Sequence, residues 1–115
     1  MSGTVDGQFS LELQHSDTLV MVAAHGDLDR FTTPELSVPS RDALADGLDL
    51  TIDLTDTAVI DSSAIGEIVG LQKLATTSGV DMTVVIKPGY QYRLFEVTGL
   101  TEYLTLTASD GTRLD

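Results

Sequence analysis

Thr51-Ile-Asp-Leu-Thr-Asp-Thr-Ala-Val-Ile-Asp-Ser-Ser-Ala-Ile-Gly66 is the stretch whose pattern decides the fold. An apolar strand enters a short polar turn, takes a second apolar step at Val59-Ile60, and meets Asp61-Ser62-Ser63 where a helix begins. Hydroxyl and carboxylate side chains are favoured there because the first amides of a helix have no partner within it. Ser62 and Ser63 therefore read as caps, and Asp61 as a helix-start acid. The same amides and the helix dipole respond strongly to a phosphate, so a serine at this place also suits a switch.

The helix that follows is predicted from Ser62 to Ser78, with Gly79 as its C-terminal cap. At 100° per residue, Ala64, Ile65, Ile68, Val69, Leu71, Leu74 and Ala75 fill one broad arc. Gly66, Gly70, Lys73 and Thr77 occupy the opposite arc, with Ser62 and Ser63 flanking it at the N-terminal end. Glycine inside a helix costs about 1 kcal/mol relative to alanine, so two on one face need a reason. Close packing against a neighbouring element is one reason. A smooth surface for another protein is the other, and the position opposite the apolar arc favours it.

Upstream, Leu48 to Leu54 reads as a buried strand. Phe9 to Gln14 alternates apolar and polar, His15 to Thr18 is a turn, and Leu19 to Ala24 is nearly continuously apolar. These two strands predict an antiparallel hairpin, after which Gly26-Asp-Leu-Asp-Arg30 leaves the sheet. Thr32 or Thr33 caps the next helix, with Pro34 in its first turn. Pro39 predicts a broken or late-starting helix that ends near Asp46-Gly47. Downstream come a strand over Asp81 to Ile86, a helix from Gly89 to Thr98 opened by Pro88, and an extended piece from Tyr103 to Thr107. The order β-β-α-β-α-β-α-β predicts a single α/β domain: a mixed sheet with an N-terminal hairpin and right-handed helical crossovers. Residues 1–8 are expected to be a flexible N-terminus, 9–108 the domain, and 109–115 a polar tail.

A chain of 115 residues suits one domain. Eighteen Asp and Glu against six Lys and Arg give a formal charge of −12, which opposes direct binding to nucleic acid or to anionic membrane surfaces. Cysteine is absent, which excludes disulfides and thiol catalysis. No apolar run approaches membrane-spanning length, and the N-terminus has no leader-like pattern, so a cytoplasmic protein is expected. His15 and His25, the only histidines, sit in no nucleophile or metal spacing, and no phosphate-binding loop or dinucleotide fingerprint occurs. A non-enzyme without cofactor or metal is the better reading. The competing one gathers Asp53, Asp56 and Asp61 at a strand end, with Lys87-Pro88 after a later strand, as in a phospho-aspartyl receiver. A receiver needs an acidic pair at the end of its first strand, where this chain has Gln14-His15.

Several segments resemble the STAS domain in register, and in particular the small stand-alone anti-sigma-factor antagonists of bacteria. Gly26-Asp-Leu-Asp29 is similar to that family's Gly-Glu-Leu-Asp turn, and Leu50-Thr-Ile-Asp-Leu54 with Val59-Ile-Asp-Ser-Ser63 to its central strand and phosphorylation loop. Val84-Val-Ile86 before Pro88, and Val97-Thr-Gly-Leu100, resemble its last core strand and third helix. The resemblance implies a partner: an anti-sigma factor that is also a serine kinase, bound so that a sigma factor is released. It further implies that this kinase phosphorylates Ser62, with Ser63 as the alternative, and that a serine phosphatase restores the unmodified form. Asp27, Asp61, Ser62, Ser63, Gly66, Gly70 and Lys73 are then the expected protein-binding residues. STAS domains also serve as structural subunits in stress-signalling and lipid-transport assemblies, which is the alternative role. The chain departs from the family at Ala64, where glycine is common, and at Pro39.

Overall fold

A computed structural model describes residues 9–114. The flexible segment expected at residues 1–8, and Asp115 of the tail, lie outside the described residues. The elements are β1 (Phe9–His15), β2 (Leu19–Leu28), α1 (Thr33–Ala45), β3 (Asp49–Ile60), α2 (Ser62–Ser78), β4 (Met82–Val85), α3 (Tyr90–Val97) and β5 (Leu106–Thr107). They form one five-stranded sheet in the order β1-β2-β3-β4-β5. β1 is antiparallel to β2, and every later neighbour pair is parallel. Right-handed crossovers repeated in one direction carry all three helices to the same face. The α/β class, the hairpin and the element order are those expected from the sequence.

Alternation places the core. Val20, Val22, Leu50, Ile52, Leu54, Met82 and Val84 are buried beneath the helices, while Met21, Thr51, Asp53, Thr83 and Val85 between them are half-buried on the open face. From the helices come Leu36, Ala43 and Leu44 of α1, Ala64, Ile68, Leu71 and Ala75 of α2, and Phe95 of α3. Of the arc expected to face inward on α2, Leu74 is the exception, 36% exposed near the helix end.

Several boundaries differ from the sequence reading, and the extended piece expected from Tyr103 to Thr107 is strand only at Leu106–Thr107. α1 runs unbroken through Pro39. The hydrogen bond that Pro39 cannot donate is the one to the carbonyl of Glu35, an exposed residue, and the helix loses that bond but continues. β2 does not leave the sheet at Gly26 but pairs with β3 as far as Leu28↔Ile60, with register shifts between Ala23 and His25 and between Gly26 and Leu28. Gly26 adopts φ +106° there, a conformation that side chains disfavour. β3 likewise continues through the polar Thr55-Asp56-Thr57 step. Finally, within the segment expected as a polar tail, the Leu114 amide donates to the Leu106 carbonyl and Arg113 bridges to Thr107.

Candidate functional site

The C-terminal ends of β2 and β3 hold the residues singled out from the sequence. Asp61 stands at the N-cap of α2 with extended backbone, and its Oδ1 accepts the Ala64 amide at 3.1 Å. The cap is therefore Asp61, and neither serine hydroxyl fills that role. All three residues are good capping types, and the extended backbone at Asp61 decides between them. Loss of such a cap costs about 1 kcal/mol. Ser62 and Ser63 become the first two helical residues, both exposed, with hydroxyls that have no hydrogen-bond partner among the described residues. Their amides are among those a helix start leaves unpaired. Ala64 is fully buried.

Beside this helix start lies the turn after β2. The Asp61 amide donates to the Leu28 carbonyl at 3.1 Å, which ties the two connections together. The turn is braced from within: Asp29 Oδ1 accepts the amides of Phe31 at 2.8 Å and Thr32 at 3.0 Å. Thr32 Oγ1 donates to the Asp27 carbonyl at 2.8 Å and accepts the Asp29 amide at 2.9 Å. Thr32 occupies the N-cap position of α1, yet its hydroxyl braces this turn and does not cap the helix. The Phe31 amide, then the Thr32 amide, hold the Asp29 carboxyl below the usual carboxylate range. Asp27 itself is exposed, one residue before the end of β2.

The structure brings Asp27, Asp61, Ser62, Ser63 and Gly66 to one end of the sheet. Lys73 does not join them, since eleven residues of helix separate it from Ser62 by about 16 Å. The two glycines differ. Gly66 is open, and a Cβ there meets nothing within 4 Å. Gly70 is half-buried, and a Cβ there lies 3.6 Å from Arg41 Nη2 of α1, an ordinary contact. That guanidinium reaches across to Glu67, with Nε to Oε2 at 2.9 Å and Nη2 to Oε1 at 3.0 Å, while the Ser37 hydroxyl donates to Oε2 at 2.6 Å. Burial opposes the charge on Glu67, but Arg41 and Ser37 outweigh it and hold its pKa low. α1 and α2 are thereby clamped side by side.

The acidic cluster that a receiver site needs is not assembled among the described residues. Asp53 Oδ1 accepts the Thr55 amide and hydroxyl, Asp61 caps α2, and Asp56 Oδ2 lies 2.6 Å from His25 Nδ1. Sequence reading missed that last contact. His25 Nε2 also lies 2.9 Å from Glu12 Oε1, so one imidazole bridges carboxylates of β1 and β3 across β2. Both contacts are hydrogen bonds only when the ring is doubly protonated, and the bond to Asp56, then that to Glu12, raises the His25 pKa. With the folded pKa above the unfolded value, the stabilisation is full below about pH 6.5 and is lost as pH rises through the folded pKa. Both carboxylates are well exposed, which keeps the effect small. Two results are expected: an imidazole titration by NMR with a midpoint above 6.5, and a stability gap between wild type and His25→Gln that narrows as pH rises.

A model of the STAS domain matches residues 10–111. The chain belongs to the STAS domain family. Among its relatives, the anti-sigma-B factor antagonist of Listeria monocytogenes is 28% identical over 108 residues, covering 89% of this chain and 91% of that one. An anti-sigma factor antagonist from Mycobacterium paratuberculosis has the same fold at TM-score 0.77 and 21% identity, covering 86% of this chain and 85% of that one. The Bacillus cell fate determinant SpoIIAA in its phosphorylated form superposes at TM-score 0.66 and 18% identity, over 89% and 93% of the two chains. Membership replaces the receiver alternative with a STAS domain whose described helices include none long and apolar enough to cross a membrane.

Proposed function

We propose that this STAS protein is an anti-sigma-factor antagonist: it binds an anti-sigma factor with serine-kinase activity, releases the sigma factor, and is switched off by phosphorylation at Ser62. The observation that carries the reading is the Ser62 hydroxyl, exposed and unpartnered among the described residues at the first position of α2, directly after the Asp61 cap and beside the end of β2. A phosphoacceptor must enter a kinase site, and this one projects from a rigid helix start. Because Asp61 serves as the cap, modification of Ser62 leaves the helix terminus intact. The relatives named anti-sigma-B factor antagonist, matched over about nine-tenths of their length, support the same role.

In this account the protein is a binding module without catalysis or cofactor, acting in the cytoplasm, and a serine phosphatase resets it. Asp27, Asp61, Ser63 and the open Gly66 form the contact around Ser62, and Gly70 and Lys73 extend it along α2. A phosphate in a kinase's acceptor position faces the nucleotide phosphates held there, so modification ends the contact by local repulsion. The direct test adds this protein to a preformed complex of sigma factor and anti-sigma kinase from the same genome. Free sigma factor on gel filtration is the expected result. A sigma complex unchanged at saturating protein contradicts the role.

A further inference from the structure

A row of exposed apolar side chains also lies at the start of α1, outside the residues assigned above. Phe31 is 73% exposed and Val38 63% exposed, with Pro34 also exposed between them. On α1, 100° per residue places Pro34, Val38 and Arg41 within one arc, directed away from the buried Leu36, Ser40 and Ala43. Phe31 leads into this arc from the braced turn. Single exposed apolar residues need no explanation, but a rigid row does. The Phe31 amide is held by Asp29, which fixes the backbone, and the Arg30 guanidinium lies 4.8 Å from the ring centroid, a cation–π contact that narrows the ring's freedom before any partner arrives. A side chain narrowed in advance loses less entropy on binding.

Two further observations say what covers the row. It is continuous with the Ser62 surface, because Arg41 spans to Glu67 on α2 and Glu67 adjoins the open Gly66. Its other margin is acidic, with Glu35 and Asp42 exposed on α1 and Asp27 exposed near the end of β2, in a chain of net charge −12. Such a margin repels an anionic lipid surface and a second copy of the same face. It attracts a protein whose apolar groove has a basic rim.

We propose that Phe31, Pro34 and Val38 form a second docking ridge, which inserts into a basic-rimmed apolar groove on the anti-sigma kinase while Ser62 occupies its catalytic site. This rests on the function proposed above and adds to it the residues that secure the partner. Ser62 meets nucleotide phosphate and the ridge meets basic side chains, so the two parts of the contact have opposite electrostatic demands.

The test is calorimetry of the anti-sigma kinase from the same genome, loaded with ADP, against wild type, Phe31→Ala/Val38→Ala and Glu35→Lys/Asp42→Lys. The exposed positions leave the core intact, and an unchanged melting temperature checks this. The first variant is expected to raise Kd by about 30-fold or more. The second is expected to slow association and flatten its salt dependence. If wild type binds, and receives phosphate on Ser62 when ATP replaces ADP, while Phe31→Ala/Val38→Ala binds equally well, the ridge is wrong and the proposed function stands. If wild type does not bind the kinase, both fall. If the substitutions instead abolish a dimer of this chain and leave kinase affinity unchanged, a second copy is the occupant and the proposal is overturned.

Discussion

Ser62→Asp is expected to bind the anti-sigma kinase about 100-fold more weakly than wild type while folding at least as stably, because a like charge placed in a close contact costs several kcal/mol. The two effects separate because the same carboxylate meets opposite fields in the free and bound states. In the free protein it sits at the first position of α2, where unpaired amides and the helix dipole favour negative charge by about 0.3–1 kcal/mol. Asp61 already holds the Ala64 amide, so the new side chain displaces no existing cap. In the proposed complex it would approach the kinase's nucleotide phosphates, where like charge opposes binding. Calorimetry together with thermal melting reads both quantities. Unchanged affinity contradicts the repulsion mechanism, and a fall in both affinity and melting temperature assigns the loss to damage at the helix start.

Gln91→Ala is expected to destabilise the fold by about 2–4 kcal/mol, because it leaves buried polar groups unpaired and opens a cavity. The side chain is 3% exposed and works from both ends. Its Nε2 donates to the Leu54 carbonyl at 2.8 Å and the Thr57 carbonyl at 3.1 Å, and its Oε1 accepts the Lys87 amide at 2.8 Å. It therefore fastens the start of α3 and the loop after β4 to the irregular middle of β3, a few residues before Asp61. Phe95, one turn later on α3 and fully buried, supplies the apolar half of the same attachment. In thermal unfolding the loss corresponds to a drop of roughly 10 °C for a domain of this size. Gln91→Glu keeps the volume but turns the donor into an acceptor facing two carbonyls, so it too is expected to destabilise. A change of less than about 1 kcal/mol in either variant removes Gln91 from this role.

How much of this was legible in the sequence depends on where each residue finds its partner. α2 was read within its observed bounds, because both of its ends are marked locally: Asp-Ser-Ser at the start and Gly79, at φ +74°, after the end. β3 was read short, since Thr55-Asp56-Thr57 has the composition of a turn. Those residues are kept in the strand by His25 of β2, bonded to Asp56, and by Gln91 of α3, bonded to the Leu54 and Thr57 carbonyls. Neither partner is within thirty residues of the position it satisfies, and local periodicity carries no trace of either. The Pro39 break failed for a related reason: proline removes one hydrogen bond, and its cost depends on whether water reaches the abandoned carbonyl.

The candidate site was legible to the level of its loop and obscure at the level of its atoms. Asp61, Ser62 and Ser63 were placed at a helix start, but three capping residues in a row do not say which one caps. The glycine stripe divides into an open Gly66 and a Gly70 shaded by Arg41, a distinction that depends on how α1 lies against α2. For Phe31 the signal available in the sequence is a mismatch: an aromatic set between Asp29-Arg30 and Thr32-Thr33-Pro34 is out of place in a polar turn.

The most direct measurement incubates the protein with the anti-sigma kinase of the same genome and ATP, then locates phosphate by mass spectrometry in wild type, Ser62→Ala and Ser63→Ala. The account expects one acid-stable phosphate in wild type and in Ser63→Ala, and none in Ser62→Ala. Phosphate retained in Ser62→Ala and absent from Ser63→Ala moves the switch by one residue, and no phosphate in any of the three contradicts it.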